Sequence, residues 1–276
     1  MAAEKTKGVM YLLQEKEQKL EQILKGLGRV LIAFSGGADS TLLSMAAFRV
    51  LGGQAVAIHM LSPFSSDSDK QDVRDYAEKI GIPLVFLETN ELADSEITVN
   101  SPRRCYFCKK IRMAQLSAYA EENGFSWILD GSNQDDLGDF RPGMQALQEC
   151  EIARSPLLEA GFTKPDVRLL SREWGLDSWD KPAAACLASR IPYGEPITAE
   201  ALARVDTAES SLRPFIPRSA QLRVRLHGDL ARIEVDPAGI ALLLAHSQEV
   251  TAELKKQGFR YVTLDLEGYH MGSFNP

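Results

Sequence analysis

Hydrophobic positions recur with two different periods along the chain, and each period predicts its own element. Between residues 4 and 25, Leu13, Leu20 and Leu24 stand at helical spacing among charged residues and Leu27 continues the series, which predicts an amphipathic helix covering one edge of a domain. The run Val30-Leu31-Ile32-Ala33-Phe34 has no polar alternation and predicts a strand buried on both faces. A polar, glycine-containing turn follows it, and then Leu42, Leu43, Ala46, Ala47 and Val50 form one helical stripe. Strands over 54–61, 84–88 and 126–130 alternate with helices over 69–80 and 112–123. Such alternation implies a parallel, doubly wound α/β sheet with right-handed crossovers. Ligands of such sheets sit beyond the carboxyl ends of the strands, where the glycine turn falls.

Near Pro192 to Thr198 the pattern changes. A helix over 198–212 leads to the strict alternation Leu222-Arg223-Val224-Arg225-Leu226, a turn at His227-Gly228-Asp229, and Ala231-Arg232-Ile233-Glu234-Val235. This is a hairpin with one apolar and one charged face. A helix over 238–257 and a strand over 261–267 complete a smaller α+β domain. The predicted division is a first domain over 1–197 and a second, for substrate binding or oligomerisation, over 198–276.

Composition narrows the function. The 276 residues are 45% hydrophobic, enough for a substantial core, and no stretch has the apolar length of a membrane span or of a signal peptide. The expectation is a cytoplasmic protein with no membrane partner. A formal net charge of −7 gives no bulk basic field, which argues against a nucleic-acid partner and for small-molecule substrates. Four cysteines in such a chain argue for metal or redox chemistry wherever two lie close.

The strongest local signal is Ser35-Gly36-Gly37-Ala38-Asp39-Ser40 between the first strand and its helix. Glycines there let the backbone approach an anion and adopt positive φ, and the helix N-terminus aims N–H groups and partial positive charge at it. Ser35, Ser40 and Thr41 add hydroxyls, while the Asp39 carboxylate suits Mg²⁺ or loop ordering. The turn lacks the Gly-Lys-Ser/Thr ending of a Walker A motif. Asp130-Gly131-Ser132-Asn133-Gln134-Asp135-Asp136 lands at the same sheet edge, and its carboxylates suit Mg²⁺ bridging phosphate oxygens. Arg141 is a candidate clamp for a phosphate or carboxylate. Cys105 and Cys108, at a loop or helix entrance, can direct two thiolates at one metal or work as a redox pair. Cys186, among small residues, is the candidate third thiol; Cys150, between acids, reads as structural. Arg223 and Arg225 share one strand face and offer paired guanidinium forks to a phosphate monoester, or else form part of a solvated, salt-bridged face.

The glycine turn resembles the SGGxDS signature of the PP-loop ATP pyrophosphatases, which cleave ATP between the α- and β-phosphates and adenylate a substrate. Arg104-Cys105-Tyr106-Phe107-Cys108-Lys109, Asp130-Gly131-Ser132-Asn133 with Asp139-Phe140-Arg141-Pro142-Gly143, and Ala185-Cys186-Leu187-Ala188-Ser189-Arg190-Ile191-Pro192-Tyr193-Gly194 extend the likeness. Together they resemble the LarE family, ATP-dependent sulfur transferases of nickel-pincer nucleotide synthesis. The resemblance implies ATP and Mg²⁺ as cofactors and pyridinium-3,5-biscarboxylic acid mononucleotide as substrate. A substrate carboxylate is adenylated, and sulfur then replaces oxygen. It also implies a homo-oligomer. Of the family's two sulfur sources, a sacrificed cysteine matching Cys186 or a [4Fe-4S] cluster on three cysteines that binds external sulfide, the presence of Cys105, Cys108 and Cys186 favours the cluster. Carried across, the pattern gives Ser35, Gly36, Gly37, Asp39, Ser40, Gly131 and Asp136 to the nucleotide and its metal, with Asp39, Ser40 and Cys186 as the catalytic set. Ser189 and Arg190 fall at the edge of the reaction site, and Arg223 and Arg225, with Glu209, at the substrate's phosphate. Tyr106 or Phe107 is a candidate to stack on the pyridinium ring. A tRNA thiolase or amide-forming synthetase on the same fold is the alternative.

Overall fold

The computed structural model describes residues 2–138, 142–182 and 185–270. Its elements run α1 (Ala2–Lys25), β1 (Val30–Ala33), α2 (Ala38–Leu51), β2 (Ala55–Leu61), α3 (Asp67–Ile80), β3 (Leu84–Glu88), α4 (Ser95–Thr98), α5 (Arg104–Glu122) and β4 (Trp127–Leu129). There follow α6 (Pro142–Gln148), β5 (Ala153–Arg154), α7 (Pro156–Ala160), α8 (Lys164–Glu173) and α9 (Ala199–Leu212). The chain closes with β6 (Leu222–His227), β7 (Leu230–Val235), α10 (Pro237–Ala245), α11 (Ser247–Lys256) and β8 (Tyr261–Leu264). The long helix expected over 238–257 is two helices, interrupted at His246, whose φ of −110° and ψ of 27° leave the helical region. The helix expected from 112 begins at Arg104, so Cys105 and Cys108 lie in its first turns.

The chain forms two compact units. The first comprises residues up to Leu61, Ser68–Thr89 and Tyr106–Asp180; the second comprises Ser62–Asp67, Asn90–Cys105 and the chain from Lys181 onward. In the first, a parallel five-stranded sheet has the order β3-β2-β1-β4-β5, with β1 at its centre. Alternate residues of β1 enter different cores, as the two-residue period of a strand requires. Val30 and Ile32 pack with Leu24, Leu42, Leu43, Val73, Leu157 and Val167 on one side, and Leu31 packs with Ile58, Met113, Leu116 and Ile128 on the other. Both sheet faces are covered, which explains the unbroken apolar run.

In the second unit, β6 pairs antiparallel with β7, setting Arg223 opposite Glu234 and Arg225 opposite Arg232; β8 pairs parallel with β7. The charged face expected on this hairpin is not solvated. Arg223 and Arg225 retain 4% and 5% of their exposure, and Glu234 1%. Among the described residues no helix is long and apolar enough to cross a membrane.

Candidate functional site

The carboxyl end of β1 opens directly into the glycine loop. Gly36 takes φ 73°, and a Cβ there would approach Val73 Cγ2 to 2.9 Å, so glycine is required twice over. Gly37 keeps φ −81° and is the N-cap of α2, which no side chain caps. That uncapped amino end offers backbone N–H groups and positive dipole to an anion. Inside the loop, Ser35 and Ser40 hydroxyls stand 3.0 Å apart, and the Thr41 hydroxyl donates to the Gly37 carbonyl at 2.8 Å. Thr41 and Ser40 are buried, so Thr41 works on the loop backbone rather than as the phosphate donor expected, and Ser40 lies behind the exposed Ser35.

Asp39 is held by two residues the sequence reading did not select. Lys164 Nζ forms an ion pair with its Oδ2, and Asn133 Nδ2 donates to its Oδ1 at 3.0 Å. Lys164 opens α8 behind a capping box in which Thr163 and Asp166 exchange hydrogen bonds. The Thr-x-x-Asp spacing with Pro165 was the available signal for that helix start. Gly131 approaches the loop so closely that a Cβ would lie 3.1 Å from the Ser40 nitrogen. The neighbouring carboxylates mostly order backbone: Asp136 accepts from Asn133 N at 2.9 Å, and Asp135 from Lys164 N at 2.6 Å. Asp130 accepts from Ser132 and from Lys109 Nζ at 2.7 Å. Burial would raise the Asp130 pKa, but Lys109 and Ser132 outweigh it and hold it below the ordinary range. Arg141 lies outside the described residues.

The second unit gathers arginines around the turn that follows Cys186. Ser189 N and Oγ donate to the Cys186 carbonyl at 3.0 and 2.8 Å. Arg190 Nη1 reaches the Ala185 carbonyl at 2.5 Å and that of Cys186 at 3.0 Å. Arg104 Nη1 donates to the Ala188 carbonyl at 3.0 Å, and Arg225 Nη1 to that of Ser189 at 2.7 Å. The turn is thereby fixed by buried guanidinium groups from three segments, while the Cys186 residue itself is exposed.

These cations are compensated unevenly. Arg190 makes a two-pronged pair with Glu209, both contacts at 2.8 Å. Burial would raise Glu209, but the Arg190 charge and hydrogen bonds hold its pKa low. Glu234 serves both Arg225, at 2.7 Å, and Arg232, at 2.8 Å. Arg223 donates to the Leu222 carbonyl at 2.6 Å and lies 5.3 Å from the centre of the Tyr269 ring. Burial, reinforced by Arg190 and offset only in part by Glu209, pulls its pKa down to about 10.

Cys105 and Cys186 both lie within electrostatic reach of Arg104, and Cys108 follows Cys105 by one helical turn. Among the described residues, no group of three or more His, Cys, Asp or Glu side chains is gathered closely enough to hold a metal ion. Cys150 contacts the Ser117 hydroxyl at 3.5 Å. Tyr106 is buried with its hydroxyl on Glu149 at 3.0 Å, so of the two aromatics proposed for stacking Phe107 is the more accessible.

Comparison with known proteins matches this construction. A PP-loop domain family matches residues 12–106. An uncharacterised protein of Synechocystis sp. is 44% identical over 266 residues, 96% of this chain and 98% of that one. The pyridinium-3,5-bisthiocarboxylic acid mononucleotide synthase of Lactiplantibacillus plantarum is 40% identical over 267 residues, 96% of each chain. A tRNA-specific 2-thiouridylase of Azorhizobium caulinodans is 30% identical over 207 residues, 61% of this chain and 53% of that one. The synthase match runs through the glycine loop, the cysteine turn and the arginine hairpin alike, and with it the chain belongs to the LarE family of PP-loop, ATP-dependent sulfurtransferases.

Proposed function

We propose that this protein adenylates a carboxylate of pyridinium-3,5-biscarboxylic acid mononucleotide and replaces an oxygen by sulfur. The observation that carries the proposal is the exposed Cys186 residue on a turn whose carbonyls are held by the buried guanidinium groups of Arg104, Arg190 and Arg225. Such a site suits a phosphate monoester presented beside a thiol, and Arg223 and Arg225 supply its forks, with Glu209 and Arg190 setting their geometry.

In the first unit, the amino end of α2 and Ser35 hold the ATP phosphates. Asp39 would hold Mg²⁺, which would supply charge neutralisation at the phosphates, and its partner Lys164 supplies a cation for the leaving pyrophosphate. Gly131 admits the nucleotide by its lack of a side chain, and Asp136 keeps Asn133 aimed at Asp39. The carboxylate oxygen attacks the α-phosphorus, pyrophosphate departs, and the mixed anhydride makes the carbonyl electrophilic. Sulfur then displaces AMP.

For the sulfur source we propose Cys105, Cys108 and Cys186 as ligands of a [4Fe-4S] cluster. What supports this reading is the donor chemistry, three thiols of which Cys105 and Cys108 lie one helical turn apart and Cys186 is exposed, although the three are not drawn together in this structure. Cys105, Cys108 and Cys186 would hold the cluster, which would supply an iron free to take up external sulfide. The test is anaerobic turnover with Mg·ATP, mononucleotide and excess sulfide, followed by intact-protein mass spectrometry. More than one thiocarboxylate per chain with unmodified Cys186 is expected. One turnover with Cys186 converted to dehydroalanine would establish the sacrificial route, and no sulfur-bearing product would overturn the assignment.

A further inference from the structure

Asn100 is the non-glycine residue with positive φ among those described, at 57°, and it is fully buried. Buried residues hold such a conformation where their surroundings over-determine it. Here the side-chain amide donates to the carbonyls of Pro192 at 2.7 Å and Glu195 at 3.0 Å, and the backbone carbonyl accepts from Gly194 at 3.0 Å. The remaining amide oxygen accepts from Arg104 Nη1. Asn100 therefore ties the Pro192–Glu195 segment to the first residue of α5.

Arg104 is 4% exposed, and its hydrogen bonds to oxygen go to neutral groups of Asn100 and Ala188. Its Nη2 stands 4.0 Å from Cys105 Sγ, and its guanidinium carbon lies 5.3 Å from the Tyr193 ring centre. A buried cation with one nitrogen toward the Cys105 sulfur and the other on a carbonyl of the turn after Cys186 is an arrangement that ligated thiolates complete, with N–H groups reaching sulfur from outside the ligand shell.

We propose that Arg104, aimed by Asn100, is the positioning residue of the cysteine site: it locks the turn after Cys186, through the Ala188 carbonyl, to the residue that opens the helix bearing Cys105, and directs an N–H group at the Cys105 sulfur. The proposal rests on the reading of these cysteines as ligands, and its first test needs no metal. In full-length protein carrying Cys108→Ser and Cys150→Ser, phenylarsine oxide bridges Cys105 and Cys186, taking two thiols per arsenic and releasing water. Arg104→Met is expected to slow this capture at least tenfold, and Asn100→Gly to slow it less. Equal capture without Arg104, or no bridging with it, overturns the proposal.

The second test is the reduction potential after anaerobic reconstitution with iron and sulfide, in otherwise wild-type protein. Arg104→Met shifts the potential to more negative values, and Arg104→Lys, which keeps the charge and loses the fork, restores part of the shift. A merely structural role would change metal content without that order, and identical potentials in all three would overturn the proposal. Arg104→Lys also keeps the question open to measurement if the Met variant unfolds. Failure of the wild type to take up iron and sulfide sinks the iron–sulfur assignment and leaves the arsenical result to judge Arg104.

Discussion

The glycine loop and the arginine turn, both proposed to receive anions, are prepared differently. At the loop, the anion-attracting element is backbone: an uncapped helix end, with Asp39 already neutralised by Lys164. At the turn it is buried side-chain charge, with burial drawing Arg223 down to about 10. Backbone dipoles carry little desolvation cost, so the loop is assembled from neighbours in sequence; buried cations need a tertiary framework of carbonyls and carboxylates to exist at all.

The largest effect separates the two halves of the reaction. Cys186→Ser should abolish sulfur-bearing product while pyrophosphate release with Mg·ATP and substrate persists, and since Cys186 is exposed its stability should change by no more than about 0.5 kcal/mol. Persistent product would remove Cys186 from the chemistry. Asp39→Ala and Lys164→Met should each lower pyrophosphate release about 100-fold or more, as loss of a preorganised electrostatic group does. Unchanged release from either would leave the pair a structural one.

Stability distinguishes the regions next. Arg190→Ala leaves Glu209 buried without its principal cation and should lower the unfolding free energy by about 3–5 kcal/mol, measured by denaturant titration. The sign with pH follows from Glu209 being held low. Its contribution is complete above the carboxylate's unfolded pKa and is lost as pH falls below about 4 through the depressed folded value. Arg190→Ala should flatten that acid limb. An acid limb unchanged in the variant would assign it to other carboxylates.

The smallest effect is a trade-off at Arg223. Arg223→Met should weaken mononucleotide binding by about 1.5–3 kcal/mol by calorimetry and raise the melting temperature of the ligand-free protein, because a cation whose burial draws its pKa down to about 10 is removed. Added inorganic phosphate should raise the melting temperature of the wild type more than that of the variant. A lower ligand-free melting temperature in Arg223→Met would show that the charge is satisfied within the fold.

Much of the first site was legible because its parts are contiguous. Val30–Phe34, the two glycines and the stripe beginning at Leu42 state a strand, a turn and a helix by local rules alone, and Gly36 does adopt the positive φ that such a turn calls for. Lys164 was not legible as a partner of Asp39, since 125 positions separate them and only the packing of α8 beside α2 brings them together. The start of α5 was missed because the basic residues from Arg103 to Lys110 obscure the stripe of Tyr106, Met113, Leu116 and Ala120, which is buried in the fold. The break at His246 carries neither glycine nor proline, so no breaker marked it.

By itself the sequence determined the alternating strand–helix order, the anion-binding turn, the hairpin and the residue types available for sulfur chemistry. Periodicity and turn chemistry act over a few residues, and so can be read one window at a time. Tertiary structure decided the rest. It buried Arg223 and Arg225 instead of solvating them, gave Glu209 to Arg190, turned acids after β4 into backbone acceptors and set Arg104 on the Cys105 sulfur and the Ala188 carbonyl. Whether a charge is solvated, paired or left in excess depends on which distant segments exclude water from it, and no local pattern carries that information.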